Sequence, residues 1–352
     1  MMLAILGTAV GLLAALAAYR GWRKLRAARQ MVIRTPNGID QAGFVEIGGI
    51  LQWVSMRSEE RANPILQVAH GGPGSGMLPF TYEAWRSWER DFTVVQWDQR
   101  GAGRTFTRGG PEGQGELSID RMAADGIEVA EHAAKTLGQA KLILAGLSWG
   151  SILGVEMARR RPDLFHAYVG AGQVIDMQAN EAVGYAGLAA RIAKTGDAKA
   201  AAALAAIGPP PYADMKTLLA QRKILRRFPP ASEKGSFARM AADMLFMPGL
   251  SLREAWRHNK APHFAAGKLA PALMSYSDSG APFAVPVVFI QGEEDIQTPT
   301  SEVVTYCAAI TAPAKWMVVI PGGGHMAMVV MAQDFRRALV EHVRPLAVSK
   351  TS

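Results

Sequence analysis

The chain has 352 residues, 49% of them hydrophobic and 19% charged, which suits one large α/β domain with a lid and leaves no low-complexity class to consider. A single cysteine, Cys307, excludes an internal disulfide. The net charge of +8 would suit a nucleic-acid partner, but Arg20, Arg23, Lys24, Arg26, Arg29 and Arg34 lie in the first 39 positions, which hold no acid, leaving +2 for the rest; no nucleic-acid partner is expected.

Residues 1–30 begin with an uncharged run, Met1 to Tyr19, followed by the cluster that starts at Arg20. About 18 helical residues at 1.5 Å each just reach the roughly 30 Å of a bilayer core, so the segment is expected to be a membrane anchor. The positive cluster after the apolar run argues against an export signal, although Ala15-Leu-Ala17 resembles a cleavage site and keeps export after signal-peptide cleavage as the alternative. A helix packed on the core is a third. The positive-inside tendency places the catalytic domain of an anchored chain on the cytoplasmic side.

Phe44 to Met56 holds two β-like runs around Gly48-Gly49, an opening hairpin. The apolar run Ile65 to Ala69 then leads into His70-Gly-Gly-Pro-Gly74, whose backbone N–H groups can point at a developing oxyanion. Gly72 is expected to supply one donor and His70 to brace the loop. The alternative is that these glycines only make a turn around a cis Gly72-Pro73 bond. Phe92 to Asp98 is the next strand.

Leu142 to Leu147 is a short apolar run that breaks into Gly146-x-Ser148-x-Gly150. A buried strand entering a turn this tight needs small residues flanking its apex and holds the Ser148 hydroxyl clear of the sheet. Ser151 to Arg161 follows with helical spacing and stops at Pro162. Trp149, directly after the serine, is expected to give the second oxyanion N–H. His166 to Ala171 is the sixth strand.

A serine hydroxyl needs a base, and the base needs a carboxylate behind it, in the chain order Ser, Asp or Glu, His. Val285 to Gln291 is a buried strand followed by Gly292-Glu-Glu-Asp295, which makes Asp295 the expected acid, with Glu293 and Glu294 as rivals at the turn. Cys307 falls in the apolar spacing of the next helix and reads as buried filler. Lys315 to Ile320 is the last strand, and Pro321-Gly-Gly-Gly-His325 frees the backbone to swing a ring across the sheet edge, so His325 is the expected base. Strands alternating with helices predict a mostly parallel, doubly wound sheet.

His70-Gly-Gly-Pro-Gly-Ser-Gly76, Trp97-Asp-Gln-Arg-Gly-Ala-Gly-Arg104, Gly146-Leu-Ser-Trp-Gly-Ser151, Gly292-Glu-Glu-Asp295 and Gly324-His325 together resemble the proline iminopeptidase (prolyl aminopeptidase) group of α/β-hydrolases, over roughly residues 40–345. The resemblance implies an α/β-hydrolase fold with an inserted helical cap, Ser148 as nucleophile, Asp295 orienting His325, Gly72 and Trp149 as the oxyanion hole, and Asp98-Gln-Arg100 as a brace beneath the site.

The expected organisation is a first core part at 40–175, a helical cap at 176–280 and a second core part at 281–350. The middle region is Ala-rich, is broken by Gly208-Pro-Pro-Pro211 and Phe228-Pro-Pro230, and contains no strand pattern. Asp176 and Glu181 are its carboxylates closest to the sixth strand and are candidates to bind a substrate amine, with helix capping or solvation as the other reading. No metal or dinucleotide motif stands out, and a serine triad needs no cofactor. The expected activity is a serine hydrolase that releases N-terminal residues from peptides, with an esterase or amidase on small apolar substrates as the alternative.

Overall fold

The computed structural model describes residues 2–348. Helix α1 (Met2–Met31) opens the chain, and its second half lies on the protein. Ala27 is buried, Arg20 donates to the carbonyls of Leu245 (3.0 Å) and Leu250 (3.1 Å), Lys24 donates to Leu250 (2.7 Å), and Arg57 reaches the Met31 carbonyl at 2.5 Å.

Among the described residues no helix is long and apolar enough to cross a membrane. This overturns the anchor expected of residues 1–30, and with it the membrane location and cytoplasmic orientation drawn from that anchor. The apolar stretch is not a separate span: one continuous helix carries straight on into the arginines from Arg20 and packs its second half on the protein.

Strands β1 (Ile39–Ile47) and β2 (Ile50–Ser58) form the expected hairpin, with Gly48 and Gly49 in the left-handed region that its two-residue turn requires. The chain continues through β3 (Ile65–Ala69), α2 (Leu78–Thr81), β4 (Thr93–Asp98), α3 (Gly103–Gly109), α4 (Ile119–Leu137), β5 (Leu142–Leu147), α5 (Trp149–Arg160) and β6 (Phe165–Ala171). A run of helices follows: α6 (Met177–Thr195), α7 (Ala198–Ile207), α8 (Met215–Leu225), α9 (Ser236–Phe246), α10 (Leu252–His258) and α11 (Ala261–Met274). The sheet resumes with β7 (Val287–Gly292), α12 (Thr300–Ala309) and β8 (Lys315–Ile320), and the chain ends in α13 (Ala327–Val330), α14 (Ala332–Ala338) and α15 (Arg344–Val348).

The eight strands form one sheet in the order β1-β2-β4-β3-β5-β6-β7-β8, with β1, β2 and β4 paired antiparallel and the remaining pairs parallel. This is the α/β-hydrolase architecture, a mostly parallel sheet with helices on both faces. Strands β3, β5 and β7 are buried along their whole length because both faces are covered, which is why they read as unbroken apolar runs. Successive residues still divide between the faces: Leu142 and Leu144 pack with the α4–α5 side, Ile143 and Ala145 with Trp85, Trp88 and Phe335.

Local signals set the helix ends. Ser118 caps α4 through Arg121 N–H, and Gly138 closes it in the left-handed region. Asp176, Asp197 and Asp214 cap α6, α7 and α8, and Ser251 with Glu254 forms a capping box on α10. The chain leaves β3 toward β4 on one side and returns to β5 on the other, so the carboxyl ends of β3 and β5 flank a crevice at the switch point.

Candidate active site

Ser148 stands at that crevice with φ 52° and ψ −121°, and among the described residues it is the only non-glycine with a positive φ. Such a conformation costs about 1–3 kcal/mol and persists only where the surroundings enforce it. They do: a Cβ on Gly150 would stand 2.0 Å from the Ala69 carbonyl oxygen, and one on Gly146 would stand 2.7 Å from the Gly150 carbonyl. The two glycines of the motif are therefore steric requirements of the elbow. Ser148 N–H is held by the Ala171 carbonyl at 2.9 Å, and α5 starts one residue later, aiming its positive end at the serine.

His325 and Asp295, 30 positions apart in sequence and more than 140 beyond Ser148, arrive at the same point. Ser148 Oγ is 3.0 Å from His325 Nε2, and His325 Nδ1 is 2.9 Å from Asp295 Oδ2. Gly172, just past β6, makes room for the ring, since a Cβ there would come within 2.9 Å of His325 Cε1. Asp295 is 3% exposed and accepts N–H bonds from Gln297 (2.8 Å) and Thr298 (3.0 Å) on its other oxygen.

The electrostatics follow from this geometry. Burial pushes the Asp295 carboxyl up, but His325 and the Thr298 N–H and hydroxyl outweigh it and hold the group below its ordinary value. Burial pushes the His325 ring down, yet Asp295 and, to a lesser extent, Glu233 outweigh burial and raise the ring above its ordinary value. A serine hydroxyl bonded to an imidazole that is backed by a buried carboxylate can be deprotonated as it attacks a carbonyl.

The loop after β3 lies beside the serine, where a Cβ on Gly71 would come within 3.4 Å of Ser148 Cβ. Gly72 sits at φ 131°, and the Gly72-Pro73 bond is cis. His70 holds this loop: its Nε2 accepts Gln99 N–H at 3.2 Å, its Nδ1 donates to the Gly71 carbonyl at 2.7 Å, and burial pushes it down to about 4. Gln99 also donates to the His70 carbonyl (3.0 Å) and accepts from the Trp149 indole (3.2 Å), tying loop to elbow. Beneath it, Arg100 and Asp125 form a buried ion pair at 2.6 Å, with Arg100 also donating to the carbonyls of Gln114 and Gly48.

The two carboxylates expected near a substrate amine have other partners. Asp176 accepts Ala179 N–H at 2.8 Å as the cap of α6, and Glu181 is paired through both oxygens with Arg222 of α8, one contact at 3.0 Å. Of the rivals to Asp295, Glu293 accepts Gly322 N–H at 2.8 Å and Glu294 is exposed. Cys307 is buried in α12.

Sequence reasoning missed Thr298 and Glu233. Thr298 Oγ1 donates to Asp295 Oδ2 at 2.8 Å and lies 3.2 Å from His325 Nδ1; an Asp followed three residues later by Thr was the available signal. Glu233 accepts Met326 N–H at 2.5 Å from a turn between α8 and α9, a contact with no local pattern.

Residues 64–329 match the family described as serine aminopeptidase, S33. The chain belongs to that family. It is 28% identical over 314 residues, 85% of this chain and 95% of the other, to the probable aminopeptidase YbaC of Bacillus subtilis strain 168. Its fold matches the proline iminopeptidase-related protein of Thermus thermophilus, with a TM-score of 0.60, 20% identity and coverage of 89% of this chain and 100% of that one. It also matches a thermophilic esterase from Thermogutta terrifontis, with a TM-score of 0.52, 19% identity and coverage of 88% and 100%. The protein is accordingly a hydrolase of the S33 α/β family.

Proposed function

We propose that this hydrolase is an aminopeptidase that releases N-terminal residues from small peptides through an acyl-enzyme on Ser148. The observation that carries the reading is the unbroken hydrogen-bond chain from Ser148 through His325 to Asp295. In the proposed reaction Ser148 Oγ attacks the peptide carbonyl carbon while His325 Nε2 takes its proton, and the carbonyl oxygen becomes an oxyanion held by the N–H groups of Gly72 and Trp149. The imidazolium then protonates the leaving amine as the C–N bond breaks. Water attacks the acyl carbon, giving a proton to His325, and the serine leaves with that proton as the acid departs. Asp295 stays ionised and fixes the tautomer that presents Nε2 to the serine.

Helices α6–α11 act as a cap over the crevice and choose the substrate. The S33 membership and the name of the Bacillus subtilis relative support a free-amine substrate. The engagement of Asp176 with its helix and of Glu181 with Arg222 favours a second reading, a carboxylesterase or amidase that needs no amine anchor, and the Thermogutta neighbour is consistent with it. Turnover of prolyl-naphthylamide, its N-acetylated form and an aryl ester separates the two. The peptidase reading expects acetylation to abolish amide turnover; equal rates with a free and a blocked amine overturn it. Fluorophosphonate labelling, lost in Ser148→Ala, tests the nucleophile.

A further inference from the structure

The loop that carries His325 is gripped by the turn Ala231–Glu233 between α8 and α9. Ser232 Oγ donates to the Gly322 carbonyl at 2.7 Å, and Glu233 Oε1 accepts Met326 N–H at 2.5 Å, so the grip falls on both sides of the histidine. Between them, a Cβ on Gly324 would stand 2.5 Å from both Glu233 Oε1 and Pro230 Cγ. The third glycine of Pro321-Gly-Gly-Gly-His325 is thus the seat of this turn.

Glu233 is 6% exposed, and among the described residues it makes no ion pair. A buried carboxylate is a costly way to hold one backbone N–H, since an amide oxygen would hold it without desolvating a charge. The charge therefore needs an object, and the ionisable groups around it are His325, Asp295 and Arg191. Those around His325 are Asp295, Glu233 and Arg222.

We propose that Glu233 is a positioning residue for His325: it fixes the histidine loop through Met326 and adds a second negative charge to that of Asp295, so that the strength of the base depends on the docking of the α8–α9 turn. This rests on the triad reading above and is indifferent to whether the substrate is a peptide or an ester. Displacement of the turn would release Met326 and remove the charge together, leaving a serine with a weaker, looser base. Burial raises the Glu233 carboxyl, with Met326 N–H and His325 opposing, and the imidazolium stabilises the ionised form in return.

The test compares wild type, Glu233→Gln and Glu233→Ala by aryl-ester hydrolysis and by the rate of fluorophosphonate labelling across pH 5–9. Glu233→Gln keeps the acceptor and loses the charge. Its acid limb is expected to move to lower pH, so that at the acid end it retains at least about twice the wild-type fraction of its own plateau activity. Glu233→Ala loses both, and kcat at the plateau is expected to fall about tenfold with KM nearly unchanged. Urea unfolding of each variant confirms a folded protein. An acid limb in Glu233→Gln that superimposes on wild type overturns the inference and leaves the triad untouched. A wild-type protein inert to both probes sinks the triad reading and this inference with it.

Discussion

Gly184 on α6 stands so close to Ile296, the residue after Asp295, that a Cβ there would meet the Ile296 carbonyl oxygen at 2.5 Å. Backbone cannot yield as a flexible side chain can. Gly184→Ala is expected to push α6 off the acid's turn, lowering kcat/KM about tenfold and stability by about 1–3 kcal/mol. Gly187→Ala, whose Cβ would meet only the Ile296 side chain at 3.0 Å, should be milder in both. Steady-state kinetics and urea denaturation check the pair; equal effects would show that the close approach does not position Asp295.

In the proposed reaction His325 must be neutral to accept the serine proton, and its raised affinity for protons places the expected acid limb of kcat/KM above the ordinary histidine value of 6.5. Ser148→Ala and His325→Ala should each lose at least about 1,000-fold in kcat, with unfolding midpoints near wild type. A limb centred below 6.5 would contradict the tight pairing with Asp295.

His70 and His258 are both pushed down to about 4 by burial. The unfolded chain therefore binds more protons between 6.5 and 4, and stability falls as pH drops through that window, by about 3 kcal/mol per histidine at the limit. Asp98, pushed up from 3.8 to about 6 by burial, opposes this between those two values, where the folded chain holds the extra proton. His258→Gln should flatten the fall in melting temperature between pH 6.5 and 4 relative to wild type; an unchanged slope would refute the assignment.

Glu181 and Arg222 are 5% exposed and part-buried respectively, and they join α6 to α8. Removing one partner leaves a buried charge unpaired, so Glu181→Leu alone is expected to cost about 3–5 kcal/mol. The double variant Glu181→Leu/Arg222→Met should recover part of that loss in urea unfolding, and a strictly additive pair would indicate no coupling.

The cluster of Ser148, Asp295 and His325 was legible because each member follows a parallel strand packed into the sheet, and such strands announce themselves as short apolar runs ending in glycine-rich turns. His70 was legible as a brace for the same reason. Glu233 and Arg222 were not, since their partners are fixed by how helices of the insertion pack onto loops far away in sequence. The first 19 residues misled because an uncharged run reads as a free span, whereas it is the front of a helix that continues through the basic cluster and lies on the protein.

At 1.5 Å per residue, the 30 residues of α1 make a rod about 45 Å long. Near its middle Arg20 and Lys24 carry the end of α9 and the turn beyond it, and at its foot the Met31 carbonyl is pinned to Arg57 in β2. Trimming the protein to begin at Gln30 for expression or crystallisation is thus no neutral edit: it deletes three hydrogen bonds by which α1 holds the end of α9 and the turn beyond it. Crystals and rate constants obtained from so shortened a version would describe a looser machine than the intact chain.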